Sequence, residues 1–312
     1  MHSEDIVIDG IKIKNSLFAP NADGIDITGS RFVRVSNCDI TTCDDAIVLK
    51  TWMHGKSCED IVVTNCTLET LCAALKLGTE SYADFRRIAF SNCAVRAASR
   101  LFAIYIRDGA TAEDVIVSNI VGTTKAPLVL NRPIQLMVTK RNKNSSLGVI
   151  KNVFVDNMIC KTDGRLLMTA DEGGTIENVR LENLHLEYPF IEDPEPVGQV
   201  IKSQQFPQQH PEMIKARGAI VAKNMKVIRI NNLTIAWPGE NVPEDWQIPV
   251  RIINGDFDLN FKHDYSKAKQ AEFSVIVGEK LTGGYIDLSQ VKASDEKTDL
   301  IKLMDSNIEI IK

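Results

Sequence analysis

The sequence lacks a long apolar run and any excess of positive charge. Its 312 residues include 36 Lys and Arg against 41 Asp and Glu, which gives a formal net charge of −5 at pH 7. No apolar run approaches the roughly 18 residues of a membrane span. A nucleic acid or an anionic membrane surface would favour a basic face, so we expect neither as a partner. The first residues also lack the basic and apolar regions of a secretory signal peptide.

Paired cysteine motifs are absent as well. The seven cysteines are an odd number and form no C-x-x-C pair and no Cys/His metal spacing. Three of them, Cys38, Cys66 and Cys93, recur at nearly equal intervals, which favours small buried hydrophobic residues over disulfides. The hydrophobic content of 44% is enough for a long core. We therefore predict a protein without a metal or another cofactor.

A short pattern of alternating apolar residues that ends in asparagine recurs along the chain, as in RFVRVSNC, EDIVVTNC and RRIAFSNC. The gaps between successive asparagines are 28, 27, 27, 38, 26 and 49 residues. A fixed period with internal alternation and many β-branched residues predicts a solenoid of strands. Leucine-rich repeats would need a leucine consensus and a helical segment, and neither is visible. We predict an all-β parallel β-helix with coils of about 27 residues, whose asparagines form a ladder. These asparagines are Asn37, Asn65, Asn92, Asn119, Asn157, Asn183 and Asn232.

A second family of strands runs beside the first, as GIDIT, AIVLK, ALKLG and AIYIR. Aligning their aliphatic positions places each strand on its counterpart in the next coil. The alignment predicts two outward-facing stacks, namely Asp26, Val48, Lys76 and Tyr105 in one and Lys50, Gly78 and Arg107 in the other.

The long gaps in the repeat predict the domain organisation. We expect a β-helix over 1–250 with insertions near 121–150 and 187–225, which would wall a cleft because long loops in compact folds are usually functional. Beyond residue 250 the repeat fades, so 251–312 is predicted to be an irregular C-terminal coil and cap. The repeat already runs at Ile6, and an uncovered end would expose strand edges. We predict that a homo-oligomer or a further N-terminal segment covers it.

Two acidic segments, NADGID at 21–26 and CDDAIVLK at 43–50, stand apart from the scaffold. Placing one strand on the other sets Asp23 over Asp45, with Asp44 beside them. Like charges this close raise at least one pKa, so the cluster favours an acid/base set or a cation site. The alternative is that aspartates favour turns, which suits Asp23 before a glycine but suits the Asp44-Asp45 pair poorly.

The two motifs and their spacing resemble the polygalacturonase family of glycoside hydrolases, family 28, whose pattern is N-T-D-G-[IF]-D followed by D-D-C-I-A-[IL]-K. The resemblance implies a right-handed β-helix that hydrolyses pectic glycosidic bonds by single displacement with inversion. It implies that Asp44 is the general acid and that Asp23 and Asp45 hold and deprotonate the attacking water. Two other family motifs are altered, with Ala73 in the histidine slot of G-H-G and Tyr105 in the arginine slot of R-I-K.

The outward-facing stacks supply the predicted substrate-binding residues, which are Asp26, Lys50, Lys76, Tyr105 and Arg107. Their cations would meet an anionic sugar, and the tyrosine would stack on a pyranose ring. In the loop after the second motif, His54 is a candidate to replace the missing histidine and Trp52 a candidate sugar platform.

We therefore predict an inverting glycosidase that acts on a pectin-type or related acidic saccharide, secreted or periplasmic as its substrate class implies. A polysaccharide lyase is the first alternative, with Ca²⁺ at the aspartates and Arg107 or Lys76 as the base. A catalytically inactive carbohydrate-binding β-helix is the second.

Overall fold

A computed structural model describes residues 2–125, 131–188, 219–236, 250–260, 263–265, 276–289, 291–293 and 301–311. Within these ranges the chain forms 24 strands and no helix. No helix there is long and apolar enough to cross a membrane. Strands β1 to β12 are Glu4–Asp9, Lys12–Lys14, Ile25–Thr28, Arg31–Ser36, Asp39–Thr42, Ile47–Thr51, Cys58–Thr64, Thr67–Thr70, Ala73–Ser81, Phe85–Ala98, Arg100–Ile106 and Thr111–Thr124. Strands β13 to β24 are Arg132–Val138, Val149–Thr162, Leu166–Ala170, Thr175–Glu187, Ile220–Asn231, Thr234–Ala236, Val250–Asn260, His263–Tyr265, Ile276–Asp287, Val291–Ala293, Ile301–Met304 and Glu309–Ile311.

The strands pair in parallel with their counterparts one coil away. Ile88 in β10 lies beside Val115 in β12, an offset of 27 residues, and Val33 in β4 lies beside Ile61 in β7, an offset of 28. Stacked parallel pairing at nearly one offset is the geometry of a solenoid of strands. The predicted parallel β-helix is confirmed.

Alternation along each strand builds the core. In β12, Val115 and Val117 are fully buried while the intervening Ile116 is 53% exposed. Because successive side chains point to opposite faces of a strand, the inner set of each coil packs on that of the next. Cys38, Cys66 and Cys93 lie in this core at 2% exposure or less, which confirms their predicted burial.

The asparagine ladder forms in segments. The Asn119 amide donates to Asn92 Oδ1 at 2.9 Å, Asn157 donates to Asn119 at 2.7 Å, and Asn232 donates to Asn183 at 2.6 Å. All seven predicted asparagines have φ between 53° and 57°, a left-handed conformation that asparagine tolerates better than most residues. The ladder is interrupted elsewhere, where neighbouring polar side chains replace asparagine as the acceptor.

One predicted register is wrong by two residues. Lys76 in β9 pairs with Ala103 in β11, and Leu77 pairs with Ile104. Tyr105 therefore lies beyond Lys76 along the strand and not directly over it. A shift of two residues preserves the alternation between inner and outer faces, so the apolar pattern alone cannot detect it.

The predicted insertion near 121–150 divides between two corners of the coil. The offset between paired strands rises to 32 residues at Phe102 and Ile134, and to 38 at Thr111 and Val149. The second increase corresponds to the loop 139–148, which approaches the acidic segments. Most of the insertion predicted near 187–225 lies outside the described residues.

At the C-terminal end, β19 and β21 continue the parallel stack from β17, and β23 and β24 pair with β21. Much of 251–312 lies outside the described residues, and the division of the chain at residue 250 stays a prediction. At the other end, within the described chain, β1 and β2 pair only with β4 and β5. A partner or segment that covers this end also stays a prediction.

Candidate active site

The acidic segments meet where two neighbouring strands begin. Ile25 in β3 pairs with Ile47 in β6, so the residues just before these strands are stacked as predicted. Asp23 Oδ1 accepts a hydrogen bond from the Asp45 amide at 2.9 Å. Gly24 permits this approach, since a Cβ there would collide with the carbonyl oxygen of Ala46.

Lys50 bridges two carboxylates on the preceding coil. Its Nζ lies 2.6 Å from Asp23 Oδ2 and 2.8 Å from Asp26 Oδ1. Burial alone would lower the Lys50 pKa, but the hydrogen bonds and charges of the two aspartates raise it above its ordinary value. Lys50 is therefore a cation that neutralises Asp23.

Lys76 repeats this arrangement one coil later. Its Nζ lies 2.6 Å from Asp45 Oδ2, and the Ala73 amide donates to Asp45 Oδ1 at 3.0 Å. Both ionic side chains are nearly buried, with residue exposures of 8% for Lys76 and 3% for Asp45. Burial opposes the charge of Lys76, but Asp45 outweighs that effect and raises its pKa.

Asp44 differs from the two aspartates beside it. No Lys or Arg of the described chain forms an ion pair with it, although its Oδ1 accepts the Asp45 amide at 2.9 Å. Its side chain is half-buried, and burial together with the charges of Asp45 and Asp23 raises its pKa. A carboxyl group that keeps its proton beside two paired carboxylates can act as a general acid.

A pocket of about 260 Å³ brings most of the predicted residues together. The predicted residues that line it are Asp23, Asp44, Asp45, Lys50, Lys76 and Arg107. Trp52, which is 46% exposed, also lines it, whereas His54 does not. Asp26 lies behind Lys50 and is not among the lining residues.

Tyr105 lies under the pocket floor. It is 1% exposed, its hydroxyl donates to Gln135 Oε1 at 2.6 Å, and Lys76 Nζ sits 5.4 Å from the centre of its ring. The predicted stacking on a pyranose ring is not supported, because the ring is closed to a ligand. Tyr105 supports Lys76 instead, through a cation–π contact.

The histidine slot is filled by packing. Ala73 is fully buried in a small cluster with Ala103, Tyr105 and Met137. Its backbone amide, not a side chain, contacts Asp45. The chemistry expected of a histidine at this position is therefore missing, and no described histidine lines the pocket.

Several lining residues were missed by sequence reasoning. Arg141, in the loop 139–148, donates to both oxygens of Asp108 at 2.7 and 2.8 Å and to the Thr79 carbonyl at 2.7 Å. The gap of 38 residues marked this loop, but nothing in the pattern singled out its arginine. Thr79 and Glu80 enter the pocket through a bulge, because Leu49 pairs with Leu77 while Thr51 pairs with Ser81. Asn21 completes the set.

One group of described side chains has the spacing of a metal site. Ligand atoms of Asp44, Asp45 and Cys72 lie within 4.8 Å of one another. Burial, followed by the charges of the two aspartates, raises the pKa of the Cys72 thiol. Calcium takes oxygen ligands, and Lys76 already occupies Asp45, so this set does not fit Ca²⁺.

Comparison with known families agrees with the geometry. The family model described as glycosyl hydrolases family 28 matches residues 1–189, which include every residue of the pocket. A search of curated proteins found no match. With a parallel β-helix and three aspartates at the start of successive strands, the chain belongs to glycosyl hydrolases family 28 and is a glycosidase.

Proposed function

We propose that the protein is an inverting glycoside hydrolase that acts on a pectin-type polysaccharide or oligosaccharide. The observation that supports this most is the difference between Asp44 and its neighbours. Asp23 and Asp45 each have a lysine within 2.6 Å, while Asp44 has a raised pKa and no ion pair in the described chain. Environments that separate the pKa values of adjacent carboxyls assign one as acid and another as base.

The proposed reaction uses one proton transfer at each side of the scissile bond. Asp44 donates its proton to the glycosidic oxygen as the bond to the anomeric carbon breaks. Asp23 and Asp45 orient a water molecule and take up its proton as its oxygen attacks that carbon. Lys50 and Lys76 keep the two carboxylates ionised, which a base requires.

Inversion is the part of this proposal that the carboxylate spacing tests most severely. Asp23 Oδ1 and Asp44 Oδ1 both accept the Asp45 amide at 2.9 Å, so they are closer than the usual spacing of roughly 6.5–9.5 Å in inverting glycosidases. Proton NMR of the first product formed gives its anomeric configuration. A product with the substrate's configuration would replace direct displacement by a covalent intermediate.

The two alternatives give different signals. A lyase would release unsaturated uronates that absorb in the ultraviolet, and EDTA would abolish that release if Ca²⁺ were required. The thiol-containing ligand group at Asp44, Asp45 and Cys72 argues against it. An inactive binding β-helix would release no sugar from any polymer. We also propose that the enzyme acts outside the cytoplasm, where pectin-type polymers occur.

Asp44→Asn tests the proposal directly. Asparagine keeps the oxygen that accepts the Asp45 amide but has no proton to donate, so we expect sugar release to fall by about 10²–10⁴-fold. Reducing-sugar assays on a panel of pectic polymers measure this loss. Asp60→Asn, which removes an exposed carboxylate bound to Arg87, is the matched control and should keep full activity. Unchanged turnover in Asp44→Asn would refute the assignment.

A further inference from the structure

Both lysines of the pocket are engaged by carboxylates of the protein. Lys50 binds Asp23 and Asp26 at 2.6 and 2.8 Å, and Lys76 binds Asp45 at 2.6 Å. Short bonds between ionised groups are among the strongest hydrogen bonds in proteins. A substrate carboxylate could use either lysine only by displacing an aspartate that the reaction needs.

The arginines of the pocket are surrounded by acids as well. Arg141 forms a two-pronged bond with Asp108 at 2.7 and 2.8 Å and lies 3.6 Å from Glu80. Arg107 is only 2% exposed, and the charges of Asp108, Glu80 and Asp171 act on it. Burial, and then the neighbouring Arg141, lowers its pKa.

Among the described residues the site therefore holds more acids than bases. Its four cations, Lys50, Lys76, Arg107 and Arg141, face six carboxylates. These carboxylates are Asp23, Asp26, Asp44, Asp45, Glu80 and Asp108. Even with a proton on Asp44 the balance is negative. A uronate would add one more anion to a half-buried site, where like charges repel more strongly than in water.

We propose that the sugar bound at the scissile bond is a neutral sugar and not a uronic acid. This deepens the proposed function and rests on it, because it assumes that the reacting sugar occupies this pocket. Hydroxyl groups are hydrogen-bond donors, and the excess of carboxylate oxygens supplies acceptors for them. Trp52, 46% exposed at the pocket wall, offers the apolar face on which a sugar ring stacks.

This inference revises the acidic substrate expected from the sequence. That expectation rested on Lys50, Lys76 and Arg107 as an open positive lining. It also assigned a sugar contact to Tyr105, which replaces the arginine of the family motif and is buried. The polymer as a whole may still be a pectin, since pectins contain neutral as well as acidic sugars.

A matched pair of polymers tests the charge preference. Carbodiimide activation and borohydride reduction convert polygalacturonate carboxylates to hydroxymethyl groups and leave the linkages unchanged. We expect kcat/KM to be at least about ten-fold higher on the reduced polymer than on the charged one. An equal or higher value on polygalacturonate would overturn the inference. Loss of all turnover on every pectic polymer would instead count against the proposed hydrolase.

Binding separates the two failures. The Asp44→Asn variant is titrated by calorimetry with a galacturonate trimer and with its carboxyl-reduced counterpart. We expect the neutral trimer to bind at least about ten-fold more tightly. Equal or tighter binding of the acidic trimer overturns the inference, and so does failure of both to bind. This readout does not depend on turnover.

A change of charge at the rim supplies a further check. Asp26→Asn removes one of the two carboxylates on Lys50 without touching the pocket lining. We expect the ratio of activity on neutral to acidic polymer to fall several-fold, because Lys50 gains capacity for a substrate carboxylate. Asp60→Asn should leave the ratio unchanged. An unchanged ratio in Asp26→Asn counts against the inference.

Discussion

At the scale of single residues, Asp44 sets catalysis against stability. Its pKa is raised above the ordinary value of 3.8 because the carboxylate is half-buried beside two other anions. The folded protein therefore holds this proton more tightly than the unfolded chain does. The sign follows from linkage: the group destabilises the fold as pH rises above its unfolded pKa, and the full cost is present above its folded pKa.

Asp44→Asn should therefore stabilise the protein at pH 7 while it abolishes sugar release. Asparagine has the same shape and carries no charge to desolvate. Thermal unfolding followed at pH 7 and at about pH 3.5 tests this, with a higher melting temperature expected only at the higher pH. A melting temperature that falls at pH 7 would mean that the Asp44 carboxylate is stabilised by contacts that the ion pairs do not reveal.

Ala73→His is the substitution that sequence alignment alone would recommend to restore a lost motif. The structure predicts the opposite result, because Ala73 is fully buried against Ala103, Tyr105 and Met137. Overpacking of this kind costs roughly 1–3 kcal/mol. We expect a lower free energy of unfolding in urea and no gain in kcat. Ala73→Ser, a smaller change at the same site, serves as the control for burial of a polar group.

The sequence predicted which carboxylates meet, and the reason is geometric. Asp23 and Asp45 are fixed by the register of two short strands, and their backbone positions bring them together whatever their rotamers. The lysine partners were not predicted, because the position of a long side chain's end depends on its neighbours. Arg141 was missed for a further reason: its place depends on the path of a loop that carries no period.

At the scale of elements, the turn asparagines combine two roles that one pair of variants can separate. Asn119 has φ of 55° and takes part in two ladder bonds, with Asn92 and Asn157. Asn119→Gly removes the bonds but accepts the backbone conformation, whereas Asn119→Ala also strains the backbone. We expect alanine to cost about 1–3 kcal/mol more than glycine does. Equal losses in chemical denaturation would assign the whole effect to the ladder.

Strand register was predictable only where two strands share an unusual residue. The aspartates fixed β3 against β6, while β9 against β11 had only aliphatic alternation to align and was placed two residues out. Because the face is unchanged by such a slip, burial is predicted correctly and neighbours are not. For the same reason Tyr105 was expected in the pocket rather than beneath it.

At the scale of the whole molecule, the net charge of −5 and the acidic balance of the pocket lead to a test in salt. For a neutral polymer, kcat/KM should change little between about 20 mM and about 500 mM NaCl, since there is no charge on the substrate to screen. Polygalacturonate should instead gain activity as salt weakens repulsion. A steep fall in activity with salt on an acidic polymer would indicate a positive site.

The loop 139–148 has a consequence for how this enzyme can diversify. The catalytic aspartates stand on the coil floor, whereas Arg141 reaches the pocket from a corner where the chain gained residues without disturbing the strands on either side. Floor and wall are therefore inherited as separate modules. Lengthening or shortening this corner could remodel which sugars enter while the acid and base stay in place, so that new substrates become accessible without rebuilding the catalytic centre.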